Sequence, residues 1–255
     1  MIMKRDTTSL NLRNVAILAL LCAAVAGCHT RSISDSSYPG DKQGLFVGSG
    51  NRHGAYAYRG ELNEFDVLGI ARDQTVSEEQ IASALNTAKP VRVAKGSSVL
   101  LIQSGARFPD DRMIQELSKY YNVTPFPGVP ESKEGASYAK TLRLAAARGG
   151  NQAIICYWGI LETAQQDLAT KQLSWVPLVG WTLPDEKQHM RIRLKMAVID
   201  VRSGDWAMLY PQPFMDIGAS SIISRRNSDQ RQVHALKDKA YATAAQQLVS
   251  AYAAN

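Results

Sequence analysis

Cysteine is scarce in this chain, with three in 255 residues at positions 22, 28 and 156. That count leaves no room for the disulfide framework of a small secreted domain. Long apolar runs are also missing. The one near the N-terminus extends over about a dozen residues, short of the roughly 20 needed to cross a bilayer. Signatures of catalysis are absent in the same way: there is no G-x-S-x-G, no H-E-x-x-H and no cysteine pair spaced for a metal. Gly48, Gly50 and Gly54 are followed by neither the lysine nor the helical pattern of a phosphate-binding loop. No cofactor and no metal are therefore expected. Charge of one sign is modest, with 29 basic against 23 acidic residues, which does not point to nucleic acid.

What is present begins at Val15, where VAILALLCAAVAGC runs to Cys28 behind Lys4, Arg5 and Arg13. A basic start, an apolar centre and a small-residue exit make residues 1–27 a secretory signal peptide. The closing Val25-Ala26-Gly27-Cys28 resembles the lipobox of bacterial lipoproteins. That resemblance implies cleavage between Gly27 and Cys28, a diacylglycerol on the Cys28 thiol and three palmitate-type acyl chains in the mature protein. Two or more chains hold a protein stably on a membrane. His29, rather than Asp, follows the cysteine, which resembles the default pattern for sorting to the outer membrane. The expected location is lipid-anchored there, facing the periplasm. The mature chain keeps 26 basic and 22 acidic residues, a mild surplus.

Residues 28–44 hold Ser, Gly, Pro and Asp and little that is apolar, which predicts a flexible tether. Residues 45–74 carry scattered apolar side chains among glycines and form a poorly defined extension. From 75 to 255 the patterns sharpen into one α/β domain. Capping boxes at Thr75–Glu78 and Ser77–Gln80 open a helix with Ile81 and Leu85 on one face. Val99–Ile102 is a short apolar run, as in a strand covered on both sides. Pro109-Asp110-Asp111 opens a helix placing Met113, Ile114, Leu117, Tyr120 and Tyr121 together. An extended piece follows, and then an Ala-rich helix with Tyr138, Leu142 and Ala145 in register, stopped by Gly149-Gly150. Ala153–Leu161 is a second buried strand. Met190–Asp200 alternates cleanly, Met190, Ile192, Leu194, Met196 and Val198 against Arg191, Arg193 and Lys195. Ser203-Gly204-Asp205 turns the chain into a return strand, Trp206–Tyr210. A helix from about Gln230 carries Val233, Leu236, Ala240, Ala244 and Leu248 on one side. The fold expected is α/β, a mixed sheet with helices packed on it.

The strand ending in Asp200-Val201-Arg202-Ser203-Gly204, the aromatic return at Trp206 and the terminal helix carry a further resemblance. Residues 97–252 resemble the domain shared by curli-secretion lipoproteins, lipoprotein activators of penicillin-binding proteins and the N-terminal domain of TolB. The resemblance implies a non-enzymatic protein that binds other envelope proteins or itself.

Three features compete as sites. Leu173–Pro184 places Trp175, Val176, Leu178, Trp181 and Leu183 in an apolar connection between strands, to be covered by the domain, a partner or a bilayer surface. Arg191, Arg193 and Lys195 form a basic stripe, either a solvated strand face or a docking face for something acidic. Cys156, in an apolar context, reads as a small buried hydrophobe. The function expected is a lipid-anchored, non-enzymatic binding or assembly module of the envelope, with the membrane and an envelope protein or a second copy as partners. The alternative is a lipoprotein hydrolase, such as a peptidase, assembled from distant residues.

Overall fold

Two 15-residue strands, β5 (Ala153–Asp167) and β6 (Glu186–Asp200), form the spine of the protein. They pair antiparallel over their whole length, from Ala153 opposite Asp200 to Asp167 opposite Glu186. The structure, a computed structural model, describes residues 29–35, 58–71, 75–130, 138–167, 186–220 and 225–254.

Each long edge of this ribbon carries two shorter strands end to end. Along β5, parallel β3 (Ser98–Gln103) covers Ala153–Tyr157, and antiparallel β1 (His29–Ser32) covers Ile160–Thr163. Along β6, β7 (Trp206–Leu209) covers Met196–Ile199, and β8 (Phe214–Ser220) covers Glu186–Ile192. Parallel β4 (Asn122–Phe126) borders β3, giving a mixed seven-stranded sheet among the described residues.

Helices divide between its faces. On one, α3 (Asp111–Ser118) and α5 (Arg225–Tyr252) pack over Val99, Leu101, Ile155, Tyr157, Met196 and Val198. On the other, α1 (Glu64–Leu68) and α4 (Tyr138–Arg148) cover Leu100, Ile102, Ile154, Cys156, Ala197 and Ile199. Both cores follow from sequence period: α5 turns Val233, Leu236, Ala240, Ala244 and Leu248 inward, all buried, at the spacing of one helical stripe. Among the described residues no helix is long and apolar enough to cross a membrane. The C-terminus is tied down by a parallel pair, β2 (Val93–Ala94) with β9 (Ala253–Ala254).

The α/β class and the mixed sheet are as expected, and several details are corrected. Residues 29–35, read as the start of a tether, are not free. After β1 the chain makes a 3-10 turn, Ile33–Asp35, with Ile33 1% exposed. The ladder needs only backbone groups, so the polar sequence His29-Thr30-Arg31-Ser32 is no obstacle. The boundary near residue 75 is not a boundary of packing, since Leu62 and Val67 lie in the core. In α2 (Glu78–Thr87) the Ser77–Gln80 capping box is formed, yet no residue is buried, and Ile81 and Leu85 face out. In α4 the buried stripe is Ala139, Leu142 and Ala146; Ala145 is exposed. Strands β1 and β8 carry too few alternating apolar residues to stand out in the sequence. The signal peptide, Gly27, Cys28 and the tether from 36 to 44 lie outside the described residues, as does the apolar connection with Trp175, Val176, Leu178, Trp181 and Leu183.

Candidate functional site

Among the described residues, α1 and α4 cover one end of the sheet face that carries them. Beyond their ends, Trp158 and Ile160 on β5 stand opposite Lys195 and Arg193 on β6. Between the end of β7 and the start of β8, residues Tyr210-Pro211-Gln212-Pro213 bridge a short gap along β6. Two prolines there cannot donate to a ladder, which ends the pairing. These residues and Glu61–Phe65 wall a cavity of about 840 Å³.

Its floor is Trp158. The indole N–H donates to the Leu62 carbonyl at 2.9 Å, which fixes the ring against the segment entering α1. Lys195 Nζ lies 5.4 Å from the ring centroid and is paired with Glu64, a cation–π arrangement. Around the rim stand three exposed apolar side chains, Phe65, Ile160 and Tyr210, the last 67% exposed. The lining is thus aromatic and apolar with a few fixed polar groups, as in ligand and partner sites generally.

The predicted basic stripe exists, and its three cations are paired with two carboxylates. Arg191 and Arg193 both pair with Glu162, and Lys195 with Glu64. Glu61 adds a carboxylate that accepts from the Ser32 hydroxyl and, at 3.4 Å, from Tyr58. A polyanion would have to displace these partners. Arg193 and Lys195 belong to the cavity; Arg191 sits one step outside it.

A second polar cluster is largely buried, at the carboxyl end of β3. Lys237 on α5 donates to Asp110 at 2.9 Å and to the Ile33 carbonyl at 3.0 Å. Tyr241 donates to the same Asp110 oxygen at 2.5 Å. Gln103 accepts from Tyr157 at 2.5 Å and from the Asp110 N–H at 2.7 Å, and donates to Ser34 at 3.0 Å. Ser34 donates to the Ser104 carbonyl at 2.5 Å. Carboxyl ends of parallel strands are where open α/β sheets usually bind ligands; here the 3-10 turn fills that place and consumes the polar groups. Ser104 is engaged too, its hydroxyl accepting the Leu62 N–H at 2.7 Å.

Cys156 is enclosed in the α1/α4 core, and burial pushes its thiol well above the ordinary range. The thiolate is the reactive form. The native protein should therefore resist iodoacetamide at Cys156 at neutral pH, with full labelling in guanidinium. Native labelling at the unfolded rate would contradict this burial. His234 on α5 is held below its ordinary value of 6.5, first by burial and then by nearby Lys237, with Asp238 and Asp110 opposing. As pH falls through 6.5 the unfolded chain takes up this proton before the folded one, so stability contributed by the neutral imidazole is lost. The denaturant midpoint should fall between pH 7 and pH 5 more steeply in the wild type than in His234→Gln; equal slopes would contradict it. Among the described residues, no group of three or more His, Cys, Asp or Glu side chains could hold a metal.

The family of YafT bacterial lipoproteins matches residues 63–251, from the entry to α1 through nearly all of α5. The chain belongs to the YafT bacterial lipoprotein family. The matched span contains both helix-covered cores except Ile33 and Leu62, and the cavity walls except Glu61 and Leu62. As a bacterial lipoprotein it is a membrane-anchored protein of the envelope. No curated protein matches the chain. Among solved structures it is similar to a protein described as a neuraminyllactose-binding hemagglutinin homolog from Helicobacter pylori. That match has 9% identity and a TM-score of 0.27, covering 64% of this chain and 89% of the other; at that level it carries no argument.

The sequence indicates Arg193 and Lys195 but not the carboxylates that neutralise them, nor the aromatic floor. One signal is there to be read: a tyrosine followed by alternating prolines at 210–213, directly after a strand.

Proposed function

We propose that the protein is a non-enzymatic binding module, held by lipid on Cys28 at the periplasmic side of the outer membrane, which takes an envelope protein into the Trp158 cavity. The observation that carries this reading is the exposed rim of Phe65, Ile160 and Tyr210 above a fixed indole. Exposed aromatic side chains around a pocket are characteristic of interface centres. The pairing of Arg193 with Glu162 and of Lys195 with Glu64 favours an apolar peptide segment over an anionic polymer, because the cavity's cations already have carboxylate partners. The turn Asp200–Trp206, which resembles that of the curli-secretion and penicillin-binding-protein-activator lipoproteins, supports the same class. It joins β6 to β7, with Asp200 accepting from the Ser203 N–H at 2.7 Å and Gly204 at positive φ.

The test is a photocrosslinking residue at position 160 in living cells. A discrete protein adduct, lost in Tyr210→Ala, is expected. No adduct, or one indifferent to Tyr210→Ala, would overturn the reading.

A further inference from the structure

We propose that one end of the β5–β6 ribbon, where His29 pairs with Thr163, rests directly against the bilayer that holds the acyl chains. This rests on Cys28 being the acylated residue. Strand β1 begins at the next residue, with His29 opposite Thr163 and Ser32 opposite Ile160. One peptide step is about 3.8 Å, whereas a free tether over 29–44 would reach roughly 20 Å. No slack separates the lipid from the sheet.

Chain direction decides which end is near. Moving away from Cys28, β1 runs from Thr163 towards Ile160, so the lipid lies on the Thr163–Asp167 side. β6 and β8 bring Glu186–Met190 and Asp216–Ser220 to the same end.

The attachment is firm. Ile33 fills the space left by Gly159, where a Cβ would lie 2.7 Å from its Cδ1. Lys237 and Ser104 hold the turn that follows, and Glu61 holds Ser32. One consequence concerns the cavity: Ile160 lies three residues from Thr163, about 10 Å along the strand. The partner would be met close to the membrane surface.

The test uses the full lipidated protein, reconstituted in vesicles of phosphatidylethanolamine and phosphatidylglycerol with nitroxide-headgroup lipid. A bimane fluorophore is placed at Gln165→Cys, at Lys187→Cys as a second near position, and at Arg202→Cys, about 40 Å away along the sheet. Quenching several-fold stronger at 165 and 187 than at 202 is expected. Equal quenching, or stronger quenching at 202, overturns the orientation. Intact mass of the same samples separates the two failures. An unacylated Cys28 removes the lipoprotein assignment on which the proposal stands, whereas an acylated protein quenched evenly removes the orientation alone.

Discussion

Lys237→Met should lower the stability of the protein by about 3–5 kcal/mol, the usual result of removing one member of a buried ion pair. The lysine is 1% exposed, and its partner Asp110 is also largely shielded. The methionine fills similar volume, so the loss is electrostatic: Asp110 keeps Tyr241 as a donor but loses its cation. For a domain of this size the melting temperature should fall by on the order of 10 °C. Adding Asp110→Asn to Lys237→Met should recover part of the loss, because no uncompensated charge then remains inside. The Ile33 carbonyl loses its donor as well, so amide exchange at residues 30–35 should accelerate more than in the α1/α4 core. A single-variant cost below about 1 kcal/mol, the range of exposed pairs, would mean that water reaches the site.

Gly128→Ala should be at least as damaging, for a steric reason. A Cβ there would lie 2.0 Å from the Gln103 carbonyl oxygen and 2.9 Å from Ile102 Cγ2. Neither side can yield cheaply. The Gly128 N–H donates to Ala106, and its carbonyl accepts from Gly105, both at 2.8 Å. Overpacking ordinarily costs about 1–3 kcal/mol; with backbone on both sides the cost should reach or exceed the upper figure. Gly96→Ala is the informative comparison. Gly96 has φ of 80° but nothing within 4 Å of the place a Cβ would take, so it should lose only about 1–2 kcal/mol from left-handed strain. Urea denaturation of both variants checks the pair, and similar losses would contradict the close approach of Gly128 to β3.

Much of the architecture is legible in the sequence because strand and helix periods report burial directly. Met190, Ile192, Leu194, Met196 and Val198 point to one core, and the α5 stripe from Val233 to Leu248 meets it. The limits are equally physical. Period identifies the apolar side of a helix and not whether anything covers it, so Ile81 and Leu85 share a face that the pattern would bury and yet lie exposed. β1 is invisible because its stability comes from backbone pairing and from Lys237, 204 residues beyond Ile33. The cavity is half legible. Arg193 and Lys195 stand out by alternation, but Glu64 reaches Lys195 across 131 residues, a separation at which no local pattern speaks. Trp158 is hidden in a uniformly apolar run whose two faces meet different surroundings.

Position 28 carries both the proposed anchoring and the bilayer-facing end of the sheet, so the most direct measurement is the intact mass of the mature protein extracted from membranes. The predicted result is a chain that begins at Cys28 and carries a diacylglycerol thioether and an N-linked acyl chain, directly beside the first residue of the sheet. A chain that begins elsewhere, or a Cys28 with a free thiol, would contradict it.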